Sequence, residues 1–276
     1  MGAIFRHELR NYFHSLTAYV FGAFLLAVIG IDAMFYNLEA AVSNFEFVLS
    51  FASIIFVVIV PILTMRTLAE ERRQRTDQLL YSLPITTTQV VLGKYLALLV
   101  VYLIPLAVIS LYPLLFSRFG DVYLPTSYGS LFAFFLMGAA LLAVGMFLSS
   151  LTDNQGFAAG IGVAAILLNY YSVSLAEYTS STAMGSLIAL YVIALLLGVV
   201  IRGLTRNENL AYGVAFALIA ALSVAYFVNS SAFEGLLPDI MTKLSLFRQF
   251  NSFVNGAFDL TAIVYYVSVM GFFLFL

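Results

Sequence analysis

Apolar residues in this chain come in long runs separated by short polar stretches. A helix crossing the hydrocarbon core of a bilayer needs about 20 mostly apolar residues. Eight runs read as spans: Thr17–Tyr36, Phe47–Met65, Tyr95–Phe116, Gly129–Leu151, Gly156–Ala176, Ala183–Ile201, Leu210–Val228 and Thr261–Leu276. Alternating strands of about ten residues, the signature of a membrane barrel, do not occur in the pattern. Helices are then the way to satisfy the backbone in lipid. The pattern predicts an all-α fold, a polytopic transmembrane helix bundle.

The segments between the runs carry their own patterns. Residues 3–16 read as an amphipathic helix lying in the interface, with Ile4, Phe5, Leu9, Tyr12, Phe13 and Leu16 on one broad face and Arg6, Glu8 and Arg10 mostly off it. Residues 67–82 lack Gly and Pro and read as a helix with a charged centre bracketed by Leu68, Leu79, Leu80 and Leu83. Pro84 ends it. Thr86 and Gln89 fit a capping box that opens the next helix. Residues 229–260 are apolar but broken at Gly235, Pro238 and Gly256, which predicts short or re-entrant helices on the outer side. The last run is short: sixteen residues rise about 24 Å, against a core of roughly 30 Å, so the span is expected to continue past residue 276. The chain reads as one membrane domain, residues 1–276, containing an interfacial helix at 1–16, a cytoplasmic coupling region at 67–93 and the outer segment 229–260.

Pro61, Pro105 and Pro113 fall inside spans and suggest bends. Gly138, Ala139, Ala140, Ala143 and Gly145 crowd one span. Gly156 and Gly160 form a GxxxG on the next, followed by Gly162 and Ala164. Such residues let helix backbones approach, either within one subunit or between two.

Composition fits this picture: 63% of residues are apolar and 9% charged. Zero cysteines exclude disulfides, thiolate metal sites and a cysteine nucleophile. With the N-terminus inside, the inner loops hold Arg6, Arg10, Arg66, Arg72, Arg73, Arg75, Lys94, Arg202 and Arg206. The outer loops hold only Arg118, Lys243 and Arg248. The positive-inside rule therefore places both termini in the cytoplasm. No small-residue cleavage site follows the first run, so that span is expected to be retained.

Catalytic constellations are missing from the sequence. Gly93-Lys94 is followed by Tyr95, so no P-loop is formed. His7 and His14 are seven apart and lack carboxylate company, which reads as interfacial rather than metal-binding. Asp32 is the acid within a predicted span, near its outer end, where it can reach the headgroups. Asn169 reads as a helix–helix hydrogen bond.

The one segment with a specific signal is 66–94. Glu70, Glu71, Arg72, Arg73, Arg75 and Asp77, followed by Leu79 and Leu80, suit a helix docking into a groove of a soluble partner: charges set the register and leucines anchor it. Here the chain resembles the ABC type-2 permeases, most nearly the gliding-motility-associated permease subunit and its relatives. The resemblance rests on Ala69-Glu70-Glu71-Arg72-Arg73, Thr76, Leu79-Leu80, Ser82-Leu83-Pro84-Ile85 and Gly93-Lys94-Tyr95. It continues in Ser149-Ser150-Leu151-Thr152-Asp153-Asn154-Gln155 and in Phe250 to Asp259, with Gly256 and Asp259. Two positions depart from the family pattern: Arg75 stands where Gly is common, and Gln78 where an acid is expected. Compact relatives have six spans, so 177–228 looks like an inserted two-helix hairpin. The permease class is carried over, not the process.

The resemblance implies a multi-pass subunit of a bacterial inner or plasma membrane, within an ATP-driven exporter. Its partners would be an ABC ATP-binding subunit, which holds the ATP, a second permease subunit in a homo- or heterodimer, and membrane lipids, with no nucleic acid. The chain itself would carry no cofactor. ATPase coupling would fall to Glu70, Glu71, Arg72, Arg73, Thr76, Leu79, Leu80, Leu83 and Pro84, with Thr152, Asp153, Asn154 and Gln155 forming a second cytoplasmic turn. A different reading is a non-transporting membrane subunit that passes ATPase motion to external partners. An intramembrane enzyme is the weakest, for want of a catalytic constellation.

Overall fold

The computed structural model of the protein describes residues 2–74, 86–205 and 207–276, and among these it contains helices and no strand. In chain order they are α1 (Gly2–His14), α2 (Leu16–Ala33), α3 (Phe45–Ala52), α4 (Phe56–Thr64), α5 (Ala69–Gln74), α6 (Thr87–Ile109) and α7 (Leu111–Phe116). Then come α8 (Leu124–Ser150), α9 (Gln155–Tyr178), α10 (Ala183–Thr205), α11 (Glu208–Val228), α12 (Leu236–Lys243), α13 (Leu246–Val254) and α14 (Leu260–Phe275). A wider helical turn, Met34–Glu39, prolongs α2, and a 3₁₀ turn, Ser53–Ile55, joins α3 to α4.

Seven helical stretches among the described residues are long and apolar enough to cross a membrane: Leu16–Glu39, Phe45–Thr64, Thr87–Phe116, Leu124–Ser150, Gln155–Tyr178, Ala183–Gly203 and Glu208–Val228. They coincide with the first seven predicted spans. The eighth is the 16-residue helix α14, shorter than that length. The protein is a multi-pass membrane helix bundle.

The chain divides into two compact units, one formed by residues up to Tyr170 together with Leu246–Leu276, the other by Tyr171–Ser245. The boundary falls inside α9. In the first unit α8 is the axis, packed against α3, α4, α6, α7, α13 and α14. Its small residues make this possible. A Cβ on Gly138 would lie 2.6 Å from the Tyr102 ring, and one on Gly145 would lie 2.5 Å from Thr64 Oγ1. On α9, a Cβ on Gly162 would meet that of Pro61 at 3.0 Å, whereas one on Gly160 would meet nothing within 4 Å among the described residues. Glycines of the predicted close approaches thus serve packing inside one subunit at 138, 145 and 162.

Tyrosine hydroxyls tie the layers together by donating to carbonyls: Tyr102 to Phe134 (2.8 Å), Tyr95 to Ala139 (2.9 Å) and Tyr266 to Leu246 (2.8 Å). Buried hydroxyls need such partners. Proline explains one break. The ring of Pro113 conflicts with the carbonyl four residues earlier, Ile109, and α6 ends there. Pro105 stays inside α6 and Pro61 inside α4.

In the second unit α10 and α11 form an antiparallel hairpin. Gly198 faces Ala215 at close range, Tyr191 Oη and Ser223 Oγ hydrogen-bond at 2.6 Å, and Arg202 pairs with Glu208 near the turn. A 3₁₀ turn, Ser230–Phe233, leads to α12. Gly235 has φ +69°, a left-handed conformation that glycine adopts without a Cβ penalty, and its N–H donates to Ser181 O at 2.9 Å. Pro238 does not break α12 but sits in its first turn, where the missing N–H costs nothing.

Candidate coupling site

The chain leaves the membrane helix α4 at Thr64, whose hydroxyl donates back to Val60 O (3.0 Å). A turn over 65–68 follows, and α5 starts at Ala69 rather than at 67 as the sequence pattern suggested. The first N–H groups of a helix have no partner within it. Here Ser149, at the end of α8, supplies one from outside. Its Oγ accepts from Leu68 N (3.4 Å) and Ala69 N (3.2 Å) and donates to Met65 O (3.2 Å). Ser149 and Ala69 are both buried. The start of α5 is thereby seated on the end of the axial helix.

Thr67, in the same turn, is held from three sides. Its N–H donates to Thr64 O (3.0 Å), its hydroxyl meets Tyr12 Oη (3.3 Å), and its carbonyl accepts from Lys94 Nζ (3.2 Å). Lys94 Nζ also donates to Glu8 Oε1 at 2.7 Å. The Lys94 side chain is 2% exposed and that of Glu8 13%. An ammonium so deeply buried must be paired and hydrogen-bonded. Glu8 therefore does not lie off the packed face of α1, as the helical pattern had placed it. It turns inward while Phe5, Leu9, Tyr12 and Phe13 pack on the core. The helix α1, the α4–α5 turn and the first turns of α6 meet at this one ion pair.

Four of the predicted coupling residues, Glu70 to Arg73, lie on α5 next to this joint. Glu70 is half-buried and Arg73 exposed; Glu71 and Arg72 also belong to α5. Thr76, Leu79, Leu80, Leu83 and Pro84 lie outside the described residues. The expected cap of the next helix is present, with Thr86 Oγ1 accepting from Gln89 N at 3.3 Å. In the second turn Thr152 Oγ1 accepts from Asn154 N (3.2 Å), and Asn154 Oδ1 accepts from Gly156 N (2.9 Å) and Phe157 N (3.3 Å). Asn154 thus caps α9, and Thr152 closes the turn before it. Asp153 is exposed and Gln155 half-buried. The residue of that stretch that reaches α5 is Ser149.

Two polar groups mark other parts of the first unit. At the opposite end from the joint Glu46 is 3% exposed and accepts from Asn44 Nδ2 (2.6 Å) and Ser127 Oγ (3.4 Å). It stands one residue before the predicted span, where sequence reading passed over it. Asn169 Oδ1 accepts from Leu246 N at 3.0 Å and so caps α13, a helix–helix bond as expected. His7 and His14 bond within α1, to Asn11 and to the Arg10 carbonyl.

The family model described as ABC-2 family transporter protein matches residues 27–176. The chain belongs to the ABC-2 transporter family. No curated protein and no solved structure matches it. As an ABC-2 permease the chain is a membrane subunit of an ABC transporter, and membership implies an ABC ATP-binding subunit as its partner. The ABC-2 match contains Thr67, Lys94 and Ser149. Glu8 and Tyr12, which complete the joint, lie before it on α1.

Proposed function

We propose that this ABC-2 permease subunit exports its substrate by receiving the stroke of a separate ATPase on α5 and the residues that follow. The observation that supports this reading is the seating of α5. Ser149 ties its first turn to α8, and Thr67 ties the preceding turn to α1 and, through Lys94, to α6. A displacement of α5 reaches three helices at once. ATP-driven switching needs contacts that differ between two states, and a polar joint with few bonds can be remade in each.

In this reading α1, α5 and both termini are cytoplasmic, following the distribution of cations. The ATPase docks on Glu70–Leu83, with Glu70, Glu71, Arg72 and Arg73 setting orientation and Leu79, Leu80 and Leu83 as anchors. Two permease subunits and two ATPase subunits form the working assembly in a bacterial plasma membrane. The motifs around Glu70–Tyr95 support a place near the gliding-motility-associated permeases.

The test is a Glu71→Lys, Leu80→Ala double substitution in the reconstituted transporter. Loss of one buried anchor costs about 2 kcal/mol or more, roughly thirtyfold in affinity. The expected result is release of the ATPase, or ATP hydrolysis without transport, in a permease that still inserts. Arg118→Ala should behave as wild type. Wild-type association and coupled transport in the double variant would sink the reading.

A further inference from the structure

Beside the joint, the first unit carries an apolar groove of about 500 Å³, lined by Gly2 and Phe5 of α1, Leu96, Leu99, Val100 and Leu103 of α6, and Phe135 of α8. The α6 positions follow i, i+3, i+4, i+7 spacing, one helical stripe. Leu96 to Leu103 rise about 10 Å along the helix. The groove therefore starts under the interfacial helix and runs into the depth of the bilayer.

The charge at its mouth is settled by the ion pair. Glu8 is the only acid on α1, and it is turned inward onto Lys94. Arg6 and Arg10 are exposed, and neither has an ion-pair partner among the described residues. Spacing of four puts Gly2, Arg6 and Arg10 in one line along the helix, and Gly2 lines the groove. An apolar slot is thus flanked by a cationic row whose compensating acid has been withdrawn.

We propose that this groove and Arg6 and Arg10 together bind an anionic phospholipid, one acyl chain lying along Leu96–Leu103 and the headgroup phosphate on the arginines. The complementarity is twofold: apolar slot to acyl chain, and paired guanidinium groups to phosphate. A juxtamembrane cation contributes about fivefold in affinity for an anionic surface. This site depends on the bilayer and on α1, not on the coupling assignment, so either can fail without the other.

The chain contains no Trp, which makes a single introduced Trp a clean reporter. Leu103→Trp, a groove position, is reconstituted as the full chain in vesicles containing either phosphatidylglycerol or phosphatidylcholine brominated on the acyl chain. Where Leu103→Trp does not assemble, Leu96→Trp replaces it. The expected result is half-maximal quenching at an about fivefold or greater lower mole fraction of the anionic lipid. Arg6→Gln with Arg10→Gln should erase that preference, since both residues are exposed and dispensable for packing. Val58→Trp, on another exposed surface, should show no preference. Equal quenching by both lipids in the groove, or a preference that survives the double substitution, overturns the proposal. So does an unquenched groove beside a quenched Val58→Trp, which would mean that protein covers it.

Discussion

Glu8 and Lys94 are separated by 86 positions in sequence and by 2.7 Å in space, and they form a nearly dry ion pair between α1 and the start of α6. Its two members are not equally buried, and this makes their loss unequal. Removing Glu8 takes a carboxylate away from an ammonium that has almost no access to water. Removing Lys94 leaves a carboxylate that can still hydrate. Breaking a buried pair by one partner costs about 3–5 kcal/mol. Glu8→Ala is expected at about that level, and Lys94→Met below it, near the value of the lost hydrogen bond to Thr67. Thermal unfolding of the two variants in detergent gives the order. A more damaging Lys94→Met would mean that desolvation does not govern the pair.

Ser149→Ala removes the acceptor for two backbone N–H groups at the root of α5. Leaving such groups unsatisfied costs about 1–3 kcal/mol. The effect should be local. The amides of Leu68 and Ala69 are expected to exchange with deuterium at least tenfold faster, while those of α8 keep their protection. Transport per ATP should fall with ATPase binding intact.

Glycines on α8 and α9 separate internal packing from open surface. Gly138→Ala and Gly145→Ala drive a methyl group into Tyr102 and Thr64, and overpacking of this kind costs about 1–3 kcal/mol. Gly160→Ala meets nothing within 4 Å among the described residues and should leave stability unchanged or improve it. Measuring unfolding and subunit assembly together makes this informative. Normal stability with lost assembly at Gly160→Ala would mark that face of α9 as a contact between subunits.

The cation distribution yields a labelling pattern in a chain with no native cysteine. Asp153→Cys, Glu234→Cys and Arg248→Cys each place a thiol at an exposed position. A membrane-impermeant maleimide should label 234 and 248 on intact cells and 153 only after lysis. Labelling of 153 on intact cells would invert the orientation.

The spans were legible because each is a run of apolar residues whose length matches a bilayer, and the Thr86 cap because its two residues lie three apart. Asn169 was legible as a lone polar group in an apolar helix. What the pattern could not supply was distance across the fold. Helical spacing put Glu8 off the apolar face of α1 because spacing cannot see the Lys94 ammonium arriving from another helix. Ser149 stood in a recognised motif, but its neighbours Thr152 and Asn154 drew the functional reading. Those two close a local turn, while Ser149 reaches back to residues 65–69. Glu46 escaped notice for a similar reason: its partners, Asn44 and Ser127, mark it as buried only once α3 and α8 are side by side.

The cap that Asn169 places on Leu246 has a meaning for how such a chain can change. The tyrosine where the first unit breaks off, Tyr170, stacks edge-on against Phe247, just past the point where it resumes, with ring centroids 4.9 Å apart. Within that unit the exit and the return are already stitched together. Ends that lie close are where folds accept inserted sequence. To the helices of the first unit, residues 171–245 are a loop of negligible span. They could be shortened, exchanged or lost in a lineage without moving α8 or the ion pair, which leaves this stretch free to diverge while the rest of the subunit stays the same machine.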